Sequence, residues 1–132
     1  MSVVFAHVSI RTSDMERSIK FYVTFFGMRV ATRREIPIND AEIAFLESPG
    51  TDFRLELTWY KNQKKFDQPR YEERLFDHLA FTVDKMDNVI AEMRKAGVTI
   101  TDEPFTLGGS GSRIAFIEDP DGTLIELIEK RG

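Results

Sequence analysis

The stretch HVSIRTSDMERSIKFY, residues 7–22, returns as HLAFTVDKMDNVIAEM, residues 78–93. Histidine aligns with histidine, Met15 with Met86 and Ile19 with Ile90, all at an offset of 71 positions. Self-similarity at a fixed offset means one supersecondary unit built twice. A glycine closes each copy, Gly27 and Gly97. Downstream, RLELTW from Arg54 and TLIELI from Thr123 place Glu56 and Glu126 at 49 and 48 positions after the two histidines. One residue of slippage over that span is a small loop difference.

Each copy reads β-α-β-β-β. Strands are expected at about 3–11 and 77–83, where apolar and polar residues alternate with period two. A helix follows each. In SDME, Ser13 and Glu16 have capping-box spacing, and Met15, Ile19, Tyr22, Val23 and Phe26 then recur at helical spacing up to a stop at Gly27. The second helix is expected from about Asp84 to Ala96, with Met86, Val89, Ile90 and Met93 on one face. Strand-like runs follow: RVATRRE, EIAFLES and FRLELTWY in the first half, VTITDEP, SRIAFIED and TLIELIEK in the second. DPDG from Asp119 suits a tight hairpin turn. The polar run YKNQKKFDQPRYEER, with Pro69, joins the halves. The expectation is one domain over 1–132, built of two modules (about 3–60 and 76–130) with a linker at 61–75. LGGSGSR from Leu107 lacks the lysine of a phosphate-binding loop and reads as a flexible connection or a mobile lid.

A chain of 132 residues fits one domain, large enough to bury roughly two-thirds of the surface its unfolded chain exposes. It has no cysteine, which excludes disulfides, iron–sulfur clusters and thiolate metal sites. The net charge is −4 and there is no continuous basic tract, so nucleic acid is a poor partner. No run approaches the roughly 20 apolar residues of a membrane span, and the first residues do not read as a signal peptide. These features suggest a cytoplasmic protein.

Strand alternation gives the repeated polar residues a common setting. His7 shares a face with Phe5, Ser9 and Arg11; Glu56 with Arg54, Thr58 and Tyr60; Glu126 with Leu124 and Ile128. His78 lies opposite Leu79, Phe81 and Val83. One face of each strand packs on a helix and the other carries a histidine or a glutamate. Singly, such a histidine is more often a hydrogen-bonded structural residue, and such a glutamate faces solvent. Together, two carboxylates brought close repel unless one holds a proton or a cation sits between them. Two imidazoles and two carboxylates suit a divalent first-row metal, and the two negative charges balance it.

HVSIRTSDMERSIKFYVTFFGM, LELTWY, DHLAFTVD and RIAFIEDPDGTLIELIE together resemble glyoxalase I (lactoylglutathione lyase) of the vicinal-oxygen-chelate superfamily, from about Phe5 to Glu129. The resemblance implies an α+β fold of paired βαβββ modules that form an incomplete barrel around a metal. His7, Glu56, His78 and Glu126 match the family's metal ligands. Nickel or cobalt is implied by similarity to the short bacterial members, with zinc the choice of longer ones. A homodimer is implied too. The substrate would be the hemithioacetal of methylglyoxal, or another 2-oxoaldehyde, with a thiol, usually glutathione. Isomerisation through an enediolate would yield a 2-hydroxyacyl thioester. Glu126 would act as the main base and Glu56 as its counterpart.

Arg11 matches the family's glutathione-binding arginine. Many glutathione users carry asparagine four residues after the first glutamate, where this chain has Tyr60. A different thiol is therefore open. Two other activities share the fold: a second type of metalloenzyme, epimerase or dioxygenase, and a metal-free protein that sequesters drugs or other small molecules.

Overall fold

A computed structural model describes residues 2–109 and 111–130 of the chain. It falls into two compact units, Met1–Phe66 and Asp67–Gly132. In the first, β1 (Val8–Arg11) leads into helix α1 (Met15–Phe26), followed by β2 (Arg29–Ile36), β3 (Ala41–Glu47) and β4 (Arg54–Tyr60). The second runs β5 (Leu79–Val83), α2 (Met86–Lys95), β6 (Ile100–Thr106), β7 (Arg113–Glu118) and β8 (Leu124–Glu129). The expected βαβββ order is present twice. Each unit holds an open four-stranded sheet, ordered β1-β4-β3-β2 in one and β5-β8-β7-β6 in the other. First and last strands pair in parallel, β1 with β4 and β5 with β8, while the other pairs are antiparallel.

The two cores match position by position. In the first sheet, Ala44 pairs with Leu57 and Leu46 with Leu55. In the second, Ala115 pairs with Leu127 and Ile117 with Ile125. All eight side chains are buried. Met15 and Tyr22 of α1 and Met86, Ile90 and Met93 of α2 are buried too. Helix α1 lies against β2 and β4, and α2 against β6 and β8. Apolar stripes at helical spacing thus meet apolar faces of period two, as the sequence implies. Burying a Leu or Ile side chain contributes about 1.5–3 kcal/mol, so these layers dominate each unit's stability. Arg33 adds a polar clasp to the first unit. It bonds Glu42 through two nitrogens at 3.0 and 3.1 Å and reaches Glu16 of α1 at 2.7 Å. Hydrogen bonds to Glu42, then Glu16, raise its pKa above an already high value.

Several boundaries differ from the sequence expectation. The first strand begins at Val8, not residue 3. Val8 pairs with Leu55 and β4 begins at Arg54, so Val3, Val4 and Phe5 have no ladder partner in the unit and are exposed. The second repeat likewise starts its strand at Leu79. Both histidines therefore sit just before a strand rather than within one. Leu79, Phe81 and Val83 are half-buried while Ala80 and Thr82 are exposed, so the expected alternation holds with partial burial. Strand β6 runs to Thr106, past Pro104. The ladder slips between Asp102 and Phe105, an irregularity that tolerates a residue with no N–H.

The cap of α1 is Asp14, not Ser13. Asp14 has extended backbone, φ −156° and ψ 103°, and its Oδ1 accepts from the Arg17 N–H at 3.1 Å. The Ser13 hydroxyl instead accepts from the Arg17 guanidinium at 2.9 Å. Gly27 ends α1 at φ 61°, its N–H reaching the Tyr22 and Val23 carbonyls. The Asp119 turn forms as expected: Asp119 Oδ1 accepts from the N–H groups of Asp121 and Thr123, both at 2.9 Å. The later part of the expected linker is tied down, with a 3-10 turn at Tyr71–Glu73 and Gln68 donating to the Asp121 carbonyl at 3.1 Å. In the 107–113 loop, Ser110 lies outside the described residues. Leu107 N–H bonds the Ser112 carbonyl at 2.8 Å, closing the turn between β6 and β7.

The cap reassignment is testable. Asp14→Ala is expected to lower unfolding free energy by about 1 kcal/mol in urea melts, and Ser13→Ala by less. Equal losses would return the cap to Ser13.

Candidate functional site

Parallel pairing in the first unit sets Ser9 opposite Glu56, so the glutamate points to the same face as His7 two residues earlier. His7 Nε2 lies 3.5 Å from Glu56 Oε1. Next to Glu56 on the other side, Phe45 is its antiparallel partner. The Phe45 ring stands edge-on to His7, centroids 4.8 Å apart at 87°. Glu47, Asp52 and Arg54 join His7 and Phe45 around a cavity of about 430 Å³.

The second unit repeats this arrangement. Ala80 is opposite Glu126, and His78 Nε2 is 3.1 Å from Glu126 Oε1. Phe116 is the antiparallel partner of Glu126, its ring edge-on to His78 at 5.7 Å and 85°. The copies differ at the residue before the histidine. Asp77 Oδ2 accepts from His78 Nδ1 at 2.6 Å, whereas Ala6 precedes His7.

The phenylalanines were legible in the sequence. IAF at 43–45 returns as IAF at 114–116, at the same offset of 71 as the histidines. An apolar repeat reads as core in the sequence, so the sequence alone gives these ring walls no role. Arg11 projects from β1 on the His7 side of the sheet. Its guanidinium stacks 4.3 Å from the Tyr60 ring centroid, and Nη1 donates to Gln63 Oε1 at 2.8 Å. Tyr60, the departure from the glutathione pattern, is thus a direct neighbour of the arginine.

Electrostatics tests whether these residues suit a cation. The Glu56 and Glu126 side chains are only 15% and 18% exposed. Among the described residues, the ion-pair partner of each is a histidine and none is Arg or Lys. A half-buried carboxylate with no Arg or Lys partner leaves a place for a cation. His78 sharpens the point, because it lies between two carboxylates. A neutral imidazole has one N–H. With Asp77 taking the Nδ1 proton, Nε2 and Glu126 present two lone-pair donors to the same place. That place suits a second proton or a metal ion. The donor types fit a divalent first-row ion. The structure brings His7 to Glu56 and His78 to Glu126; among the described residues no group of three or more potential ligands is gathered.

The chain is similar to known proteins in sequence and in fold. The model of the Glyoxalase/Bleomycin resistance protein/Dioxygenase superfamily matches residues 4–127. The lactoylglutathione lyase of Haemophilus influenzae is 34% identical over 127 residues, which cover 95% of this chain and 91% of that protein. A lactoylglutathione lyase of Arabidopsis thaliana is 36% identical over 128 residues, 96% of this chain, and the chain spans only 44% of its length. Among solved structures, the trypanothione-dependent glyoxalase I of Leishmania major superposes with a TM-score of 0.77 at 32% identity, covering 97% of this chain and 87% of that one. With its duplicated βαβββ units and a histidine–glutamate pair in each, this chain belongs to the glyoxalase/bleomycin resistance protein/dioxygenase superfamily.

Proposed function

We propose that the protein is a metal-dependent glyoxalase I-type lyase that isomerises the hemithioacetal of methylglyoxal, or another 2-oxoaldehyde, and a thiol. One observation carries the reading: a covered carboxylate faces a histidine Nε2 at 3.5 Å in one unit and at 3.1 Å in the other. In this reading His7, Glu56, His78 and Glu126 are the ligands of a divalent ion, each pair supplying one nitrogen and one oxygen. Nickel or cobalt is the favoured ion. A homodimer and a cytoplasmic location belong to the same reading. Among the described residues no helix is long and apolar enough to cross a membrane.

When bound, the ion supplies positive charge that stabilises the two substrate oxygens as negative charge develops on them. The remaining work falls to the side chains. Glu126 takes the C1 proton and returns it to C2, and the hydroxyl proton passes from the C1 oxygen to the C2 oxygen. The hydroxyketone adduct becomes a 2-hydroxyacyl thioester with no net change in atoms. Phe45 and Phe116 flank the histidines and limit water beside the carboxylates, which keeps the proton from exchanging away. Arg11, stacked on Tyr60, is the group for a carboxylate of the thiol. Its contact with Tyr60 and Gln63 favours testing thiols beyond glutathione.

Nickel-loaded protein is expected to consume methylglyoxal in the presence of at least one thiol from a panel that includes glutathione and trypanothione. Chelation with EDTA is expected to lower both that activity and the melting temperature, since a ligand that binds only the folded state stabilises it. Protein that takes up no divalent metal would sink the reading. Glu126→Gln is expected to lower the rate by about 10²–10⁴-fold, the range for a lost general base, while urea stability changes little. A fall in stability as large as that from a core truncation would instead make Glu126 structural.

A further inference from the structure

The two half-sites match in strand register, histidine, glutamate and phenylalanine, yet differ at the residue before the histidine. Residue 6 is alanine and its counterpart, residue 77, is aspartate. The Asp77 side chain is 82% exposed and buries nothing. Among the described residues its one polar contact is the bond of 2.6 Å from His78 Nδ1. On the other side of the ring, Nε2 is directed at Glu126. Among the described residues no carboxylate bonds Nδ1 of His7.

We infer that Asp77 is a positioning residue: it holds His78 as the Nδ1–H tautomer, with the Nε2 lone pair turned toward Glu126 to receive a cation. The inference rests on the proposed metal reading for the cation, but the tautomer it assigns is a property of the metal-free protein. The physical argument is short. An ionised carboxylate accepts and cannot donate, so Asp77 and Glu126 compete for the single proton of a neutral ring; the contact with Asp77, 2.6 Å against 3.1 Å, is the shorter and favours the proton on Nδ1. A neutral ring then has its lone pair on Nε2, the nitrogen nearest the glutamate. The same bond restricts rotation of the ring and increases the basicity of Nε2, as carboxylate partners do for metal-bound histidines. An unconstrained imidazole prefers the opposite tautomer, so Asp77 imposes a state the ring would not choose alone. His7, which lacks this partner, serves as an internal control.

The test compares wild type, Asp77→Ala and Asp77→Asn. Imidazole nitrogen shifts are recorded by NMR on metal-free protein, at a pH where both rings are neutral. Nickel binding is then measured by calorimetry. In wild type, His78 is expected as the Nδ1–H tautomer. In Asp77→Ala it shifts toward Nε2–H, and nickel affinity falls by about 10–100-fold, the range for lost partners of metal-bound histidines. Asp77→Asn keeps an accepting amide oxygen and is expected to restore the tautomer and most of the affinity. The His7 signals and the urea midpoint stay put in both variants. An Nε2–H tautomer in wild type, or equal tautomer and affinity in Asp77→Ala, would overturn the inference. Failure of wild type to bind nickel defeats the metal reading instead, and the metal-free spectra still decide the tautomer.

Discussion

Parallel pairing of the first and last strand in each unit is the constraint on which the site depends. It sets residue 9 against residue 56 and residue 80 against residue 126. Because side chains alternate with period two, the histidine just before the first strand and the glutamate inside the last must share a face. A one-residue slip in either ladder would turn the glutamate into the helix-packed core. The core guards against that slip. Leu55 and Leu57 flank Glu56, Ile125 and Leu127 flank Glu126, and all four are buried. The apolar residues therefore aim the carboxylates, and the energy that fixes the register comes from burial on the opposite face.

The middle strands complete the arrangement. Phe45 and Phe116 lie beside the glutamates through antiparallel pairing and stand edge-on to the histidines. Each glutamate is thereby flanked in register by a phenylalanine and paired with an imidazole, without an arginine or lysine ion-pair partner among the described residues. Such a carboxylate is suited to a cation. The units supply donors of the same type but not in the same state, because Asp77 engages only His78. The repeat gives two matching frames, and the residue before the histidine, Ala6 in one and Asp77 in the other, sets the two histidines apart.

Much of this was readable before any coordinates. The offset of 71 between the two histidines, the spacing to the glutamates and the helical stripes identify the duplicated βαβββ unit. Errors fell at the ends of elements. The apolar run Val3–Phe5 mimics a strand, but a strand needs a neighbour, and none lies there within the unit. Ser13 and Asp14 are both good caps; backbone geometry selected Asp14, as the Ser13 hydroxyl serves Arg17. IAF repeated as faithfully as the histidines, yet an apolar triplet announces only core until its partner strand is known.

By itself, the sequence determined the repeat, the fold class and the faces of the strands, and it singled out the four repeated histidines and glutamates. These follow from local periodicity and from residue type. Tertiary structure decided which strand lies beside which, and so the pairing of His7 with Glu56 and of His78 with Glu126. It also decided that Arg11 rests on Tyr60 and that Asp77 turns back to bond its neighbouring histidine. The first and last strands of each unit pair across some 45 residues of chain. Their choice depends on how whole apolar faces bury together, which no local pattern encodes.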